Sequence, residues 1–356
     1  MRYIIHGAGA LGSLVGGRLA ATGAEVLLIG REPHVAAIRD RGLELRLTAL
    51  AEEPLVIRDI SAATTLAGIV PREDDRILLA VKSADTPAAL LELGETFSRQ
   101  TPVFCLQNGV RNEDLAARRF LHAYGIMAGL VTKMIAPGIV AQTLYNDLAI
   151  GSYPLGCDRV GREVADHLAR AGFNVTVPDS IMAVKWSKLI LNLNNATLAI
   201  IDCHLQLAMV TPVIAGFMAR VVEEALVVLE RNAIPVDDPG GPYRLKSYLE
   251  NLRRISHGPA DPQAIAAAAD LSFEKRAYPS TWVDLKERRG RTEAGFLNGE
   301  IVRMGEKHSI PTPLNTTLLE LVERLAGEGR PPGLPGLPGL PGLLDPDQLT
   351  RLAEAR

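Results

Sequence analysis

The chain has 356 residues, of which 47% are hydrophobic and 22% charged, a composition that excludes a disordered polymer and is long enough for two domains with substantial cores. A net charge of −3 supplies no basic field for nucleic acid or for an anionic membrane, so any partner must be argued from local sites. The strand-like opening leaves no room for a signal peptide and no apolar run is long enough to span a bilayer. Cys105, Cys157 and Cys203 fit neither a disulfide framework nor a metal motif. These features point to a cytoplasmic protein with reduced core thiols, no metal, and no nucleic-acid or membrane partner.

Tyr3-Ile4-Ile5 predicts a short buried strand that runs into Gly7-Ala8-Gly9-Ala10-Leu11-Gly12 and then a helix through Ala20, the strand–turn–helix order of a dinucleotide fingerprint. In that pattern Gly7 makes the tight turn and Gly9 lets backbone N–H groups approach a pyrophosphate. Gly12 lets the helix pack close to the strand, and Ala8, Ala10 and Leu11 complete the loop. His6 reads as a strand residue with a satisfied ring. A second strand covers residues 25–29, and an acidic residue at its end would bind the ribose 2′-hydroxyl of NAD. Gly30-Arg31 stands there instead. An arginine takes a 2′-phosphate through charge-assisted hydrogen bonds, so the expected cofactor is NADPH/NADP+.

Residues 77–81 and 102–106 read as two further parallel strands. Lys82 and Asn108 follow them, where an open α/β sheet places its ligand crevice. Residues 126–150 are strand-like, with turns expected at Pro137-Gly138 and Asn146-Asp147, and are read as antiparallel additions to the sheet. A helix over 159–171 and a strand over 173–177 close a first domain, residues 1–179.

The second domain, residues 180–329, reads as nearly all helix. Residues 184–200 predict one helix that is apolar on most sides, with a single polar stripe: at roughly 100° per residue, Lys188, Asn192 and Asn195 fall within about 60° of one another. Each such group buried without a partner costs about 1–3 kcal/mol, so the stripe implies an internal polar network or a cleft that holds a polar ligand. Lys185 lies about 60° round the helix from Lys188. Thr211-Pro212 supplies the N-cap and first position of a long amphipathic helix to about Asn232. Residues 330–356, with their Gly-Leu-Pro repeats, are too short for a triple helix and read as an extended tail. The fold class is therefore α/β, an N-terminal Rossmann-type dinucleotide-binding domain followed by a C-terminal all-helical domain.

Taken together, several segments resemble the ketopantoate reductases (2-dehydropantoate 2-reductases), an NADPH-dependent branch of the hydroxyacid-dehydrogenase-like superfamily. They are Gly7 to Gly12, Val81-Lys82, Leu106-Gln107-Asn108-Gly109, and Lys185-Trp186-Ser187-Lys188-Leu189 with Asn192. Further on they are Pro279-Ser280-Thr281-Trp282-Val283-Asp284, Thr292-Glu293, Leu297-Asn298-Gly299 and Ile310-Pro311-Thr312-Pro313. The resemblance covers about residues 1–325. It implies reduction of ketopantoate to pantoate on the route to pantothenate and coenzyme A, in a cleft between the two domains, and leaves room for a homodimer. It also implies Lys188 as general acid, Glu293 as the acid that binds the substrate hydroxyl, and Ser280, Asn108 and Asn192 as ligands of the carboxylate and carbonyl. Lys82, Asn108 and Glu293 are further placed beside the cofactor.

Two departures bear on the substrate. The family's second helix amide stands eight residues after the lysine, where this chain has Ala196, so Asn195 is the nearest counterpart. The segment from Asp284 to Glu293 is one residue longer than usual and must bulge. Two other readings are carried: a reductase of the same family acting on a different 2-keto acid or ketone, and a non-catalytic NADPH-sensing protein. Retention of Lys188 and Glu293 argues against the latter.

Overall fold

The computed structural model describes residues 1–47, 53–236, 245–333 and 350, so the Gly-Leu-Pro repeats read as an extended tail lie outside the described residues. The described chain falls into two compact units, one within Met1–Lys185 and the other from Trp186 on.

The first unit contains, in chain order, β1 (Arg2–His6), α1 (Ala10–Ala21), β2 (Glu25–Ile29), α2 (Glu32–Arg41), β3 (Leu43–Arg46), β4 (Leu55–Ile57) and β5 (Ser61–Ala63). There follow β6 (Asp75–Leu79), α3 (Thr86–Thr96), β7 (Val103–Cys105), α4 (Asn112–Ala117), β8 (Ala123–Ala136), β9 (Ile139–Ser152), α5 (Arg159–Arg170), β10 (Asn174–Thr176) and the start of α6 (Ile181–Asn192). All these strands join one sheet in the order β4-β3-β9-β8-β7-β6-β1-β2-β5, with β10 also paired to β9. From β5 through β2, β1, β6 and β7 to β8 every pairing is parallel, the order 3-2-1-4-5-6 of a doubly wound dinucleotide fold.

Alternation of side chains along the central strands divides the core between the two faces. Tyr3, Ile5, Leu78 and Phe104 point to the face covered by α1, α2 and α5. Ile4, Ile77, Leu79, Val103 and Cys105 point to the face covered by α3 and α4. Such strands are buried on both sides, which is why they read as continuous apolar runs rather than as alternating ones.

The antiparallel pair β8–β9 turns at Pro137-Gly138, as expected, with Gly138 at φ +79°. The second turn, expected at Asn146-Asp147, is absent: both residues continue β9, and the chain bulges at Tyr145, which has φ +56°. The reason is tertiary. The Asn146 side chain is buried, accepting from Arg18 Nη1 at 2.7 Å and donating to the Gly172 carbonyl at 2.7 Å.

The second unit continues α6 and adds α7 (Asn194–Ile200), α8 (Leu205–Ala208), α9 (Pro212–Arg231), α10 (Leu245–His257), α11 (Pro262–Ala269), α12 (Ser280–Lys286), α13 (Asn298–Lys307) and α14 (Pro313–Gly327). α9 begins with Thr211 as N-cap and Pro212 at its first position, and it packs against α7, α10, α13 and α14. The single helix expected over 184–200 is two, α6 and α7, interrupted at Leu193.

Among the described residues no helix is long and apolar enough to cross a membrane, and no cluster of three or more His, Cys, Asp or Glu could hold a metal ion. The three cysteines are free; Cys105 and Cys203 are buried and Cys157 is half-buried, so only two of them are core thiols.

Candidate active site

Register brings the predicted cofactor residues of the first unit to one edge. His6 is paired with both Ile29 and Leu79, and Leu79 with Cys105, so β2, β1, β6 and β7 end level. The segments that follow them carry Gly30-Arg31, Gly7 to Gly12, Lys82 and Asn108. Strand order reverses between β1 and β6, the switch point at which such sheets bind dinucleotides.

The glycines have separate jobs. Gly7 has φ +114°, and a Cβ on it would lie 2.5 Å from the Val81 nitrogen. A Cβ on Gly12 would lie 2.3 Å from the Gly7 carbonyl oxygen. Gly9 is the opposite case: it is exposed, caps α1 and has nothing within 4 Å of its Cβ position. Ala8 is buried beneath the loop, while Ala10 and Leu11 are half-buried.

The first turn of α1 holds no acidic residue, and no side chain caps it, so its N–H groups and dipole favour an anion. Arg31, the exposed N-cap of α2, and Lys82, exposed after β6, add positive charge at the same edge. A clearance over Gly9 flanked by a tight turn, a helix N-terminus and two cations fits a dinucleotide pyrophosphate and its ribose phosphate.

The loops that carry Lys82 and Asn108 are locked together by a buried network that sequence reasoning missed. Gln107 Nε2 donates to the Val81 carbonyl and to Thr86 Oγ1, both at 2.8 Å, and Thr86 Oγ1 donates to Asn112 Oδ1 at 2.9 Å. Asn112 Nδ2 donates to the Asn108 carbonyl at 2.9 Å, and Ser83 Oγ to the same oxygen at 3.0 Å. Gln107, Thr86, Asn112 and Ser83 are all buried. The available signal was the run of small polar residues just beyond two apolar strands. His6 is only partly satisfied: Nε2 meets Glu92 at 3.0 Å, and its buried Nδ1 has no partner among the described residues.

In the second unit the polar stripe, with Leu191 beside it, is the accessible side of a rod whose other residues from Lys188 on are buried. Lys188, Asn192 and Asn195 are half-buried, whereas Leu189, Ile190, Leu193, Asn194 and Ala196 to Ile200 are buried. Ala196, eight residues after Lys188, is 1% exposed. The interruption at Leu193 carries two tightened bonds, Leu193 N–H to the Ile190 carbonyl and Ala196 N–H to the Leu193 carbonyl, both at 3.3 Å. These are three-residue rather than four-residue spacings.

Ser280 is the exposed first residue of α12, and α12 packs against α7. Glu293 is half-buried at the start of the short turn Ala294–Phe296 that leads into α13. The loop before it turns sharply. Arg288 and Gly290 take left-handed φ of +51° and +70°, and Arg289 folds back on Asp284 at 2.5 Å and on Glu287 at 2.5 Å.

The glycine cradle on a doubly wound sheet, with an amine-and-amide stripe on a separate helical unit, defines an oxidoreductase of the class that works with a nicotinamide dinucleotide. Profiles described as "Ketopantoate reductase PanE/ApbA" and "Ketopantoate reductase PanE/ApbA C terminal" match residues 3–154 and 180–326. A 2-dehydropantoate 2-reductase of Pyrococcus horikoshii is 32% identical over 329 residues, 91% of this chain and 97% of that protein. A PanE/ApbA family ketopantoate reductase from Ralstonia eutropha JMP134 superposes with a TM-score of 0.76 at 30% identity, covering 92% of this chain and 99% of the other. A D-mandelate dehydrogenase in ternary complex with NADH and anilino(oxo)acetate shares the fold, with a TM-score of 0.76 at 24% identity and coverage of 92% and 99%. The chain belongs to the ketopantoate reductase family.

Proposed function

We propose that the protein catalyses NADPH-dependent reduction of 2-dehydropantoate to pantoate, a step toward pantothenate and coenzyme A. The observation that carries the reading is the stripe of Lys188, Asn192 and Asn195, which with Leu191 makes the half-buried side of α6 and α7 from Lys188 on, the rest of that stretch being buried. Reduced nicotinamide, when bound, supplies a hydride to the keto carbon. Negative charge then grows on the keto oxygen, where an ammonium at Lys188 stabilises it and delivers the proton that completes the alcohol. Asn192, Asn195, Asn108 and Ser280 serve as ligands of the carboxylate and carbonyl, and Glu293 accepts from the substrate hydroxyl. Gly7, Ala8, Gly9, Ala10, Leu11 and Gly12 hold the pyrophosphate and Arg31 the 2′-phosphate. Lys82, Asn108 and Glu293 flank the cofactor.

In this reading residues 1–179 form the cofactor domain, 180–329 the catalytic domain and 330–356 a tail. The free cysteines support a cytoplasmic setting. A homodimer is the assembly to be sought by light scattering. A second reading, a different 2-keto acid or ketone, is favoured by one observation: the alanine at position 196 is buried and offers no amide.

The deciding experiment follows NADPH absorbance while a panel of 2-keto acids is added to purified protein. The proposal expects the highest kcat/KM for 2-dehydropantoate. A higher value for another 2-keto acid selects the second reading, and no oxidation with any of them defeats both.

A further inference from the structure

We propose that Asn298 is a positioning residue for the substrate-binding stripe. It sets the interruption between α6 and α7 and thereby the direction in which Asn195 is presented. The inference rests on the reading of Asn195 as a substrate ligand.

Leu193 keeps helical dihedrals, φ −57° and ψ −38°, yet its carbonyl is used differently from those around it. It accepts from Ala196 N–H at 3.3 Å and from the side-chain nitrogen of Asn298 at 3.2 Å. A residue in the tighter winding advances about 120° rather than about 100° round the axis, so each residue in this turn carries Asn195 roughly 20° further than a continuous α-helix would. The shift is toward the side on which a residue eight positions after Lys188 would otherwise stand. Asn195 stays on the accessible side through this turn: it is half-buried, while its neighbours Asn194 and Ala196 are 2% and 1% exposed.

The side chain that defines this turn is itself fixed. Asn298 is 1% exposed, and its nitrogen also donates to Asn315 Oδ1 at 3.0 Å. Asn315 Nδ2 donates to Glu224 Oε1 at 2.8 Å, and the Glu224 carboxylate accepts from the Leu314 and Asn315 backbone N–H groups at 2.9 and 2.8 Å. A chain of charge-assisted and neutral hydrogen bonds thus runs from α9 through the start of α14 and of α13 to the carbonyl at Leu193. Asn298 Oδ1 is buried without a partner among the described residues, so the amide is not a fully satisfied core group; what its geometry secures is the nitrogen's two bonds.

The test is a double-mutant cycle of Asn298→Ala and Asn195→Ala, read by steady-state kinetics on the 2-keto acid the wild type reduces best. Asn298→Ala is expected to raise KM for the keto acid about ten- to a hundredfold, the usual effect of displacing a ligand by an ångström or less, with KM for NADPH changed less than about threefold. In the Asn195→Ala background it is expected to add little further. Effects that multiply, or a change shared by both KM values, overturn the proposal. Should Asn298→Ala not fold, Asn298→Ser, which retains a donor, carries the same cycle. If the wild type reduces no 2-keto acid, the functional reading has failed on its own. The positioning role is then read from the side-chain amide resonance of Asn195 in nitrogen-labelled protein, which moves in the Asn298 variant if the turn has shifted. An unmoved resonance overturns it.

Discussion

Lys185 Nζ is paired with the carboxylate of Glu113, 72 residues away in sequence, and both side chains are buried. The pair ties the start of α6 to α4 inside the first unit. Burial pushes the Glu113 carboxyl above the usual carboxylate range while the lysine pulls against it, and the neighbouring Cys105 thiol is raised by the same burial and by Glu113. Glu113 Oε2 has no partner among the described residues, so the lysine is its principal compensation. Removing one member of such a pair strands the other charge, at a cost of about 3–5 kcal/mol. Lys185→Ala is therefore expected to lower unfolding free energy by that amount in denaturant titration. The double variant Lys185→Met with Glu113→Leu recovers most of it. A single variant as stable as the wild type would show that the pair contributes nothing.

A pH dependence follows from His34. The Gly138 N–H donates to His34 Nδ1 at 2.9 Å, so the ring proton sits on Nε2 and donates to Ser13 Oγ at 2.9 Å. Burial lowers the pKa of this histidine below its ordinary 6.5. Below that value the unfolded chain takes up a proton that the native ring resists. The stability due to neutral His34 is thus complete above about pH 6.5 and is lost as pH falls toward the lowered native pKa, with a slope of at most about 1.4 kcal/mol per pH unit. His167 and His204 are lowered as well, so the measurement is a difference: His34→Gln flattens the slope of unfolding free energy below pH 6.5. An unchanged slope refutes the assignment.

Arg31 bears on cofactor choice. It is exposed at the N-cap of α2, level with the glycine loop. Loss of each charge-assisted bond to a 2′-phosphate costs about 1.5–3 kcal/mol, or roughly ten- to a hundredfold in affinity. Arg31→Ala is expected to weaken NADPH by at least that factor and NADH hardly at all in fluorescence titrations. Equal losses for the two cofactors, or a wild type that prefers NADH, count against it.

What was legible in the sequence was local or periodic. The glycine spacing after β1, the apolar runs of β6 and β7, and Thr211-Pro212 each announce an element from residues only a few positions apart. The stripe of Lys188, Asn192 and Asn195 was equally readable, because helical phase puts residues four and three apart on one line. The illegible features depend on partners far along the chain. Asn146 looks like a turn former until Arg18, 128 residues earlier, claims its side chain. Lys185 looks like a lysine on the flank of a helix until Glu113 is folded beneath it. The interruption at Leu193 has no glycine or proline to signal it; the side chain that bonds its carbonyl is Asn298, 105 residues on.

Lys188 remains the test that separates catalysis from mere cofactor binding. If it is the general acid, Lys188→Ala removes both proton delivery and stabilisation of the growing alkoxide, and leaves the glycine cradle of the first unit in place. General acid assistance alone is worth about 10² to 10⁴-fold, so kcat is expected to fall at least about a hundredfold while the Kd for NADPH changes less than about threefold. Lys185 is the wrong control despite lying one turn away, because its loss removes the partner of a buried carboxylate and lowers activity through unfolding. Lys307, exposed at the end of α13, is the proper one, and Lys307→Ala is expected to retain wild-type kcat. Melting temperature measured alongside separates the outcomes, since Lys188→Ala is half-buried on the stripe and is expected to stay folded. A Lys188→Ala protein that keeps most of its kcat on the best substrate makes the stripe a structural feature and removes the lysine from the mechanism.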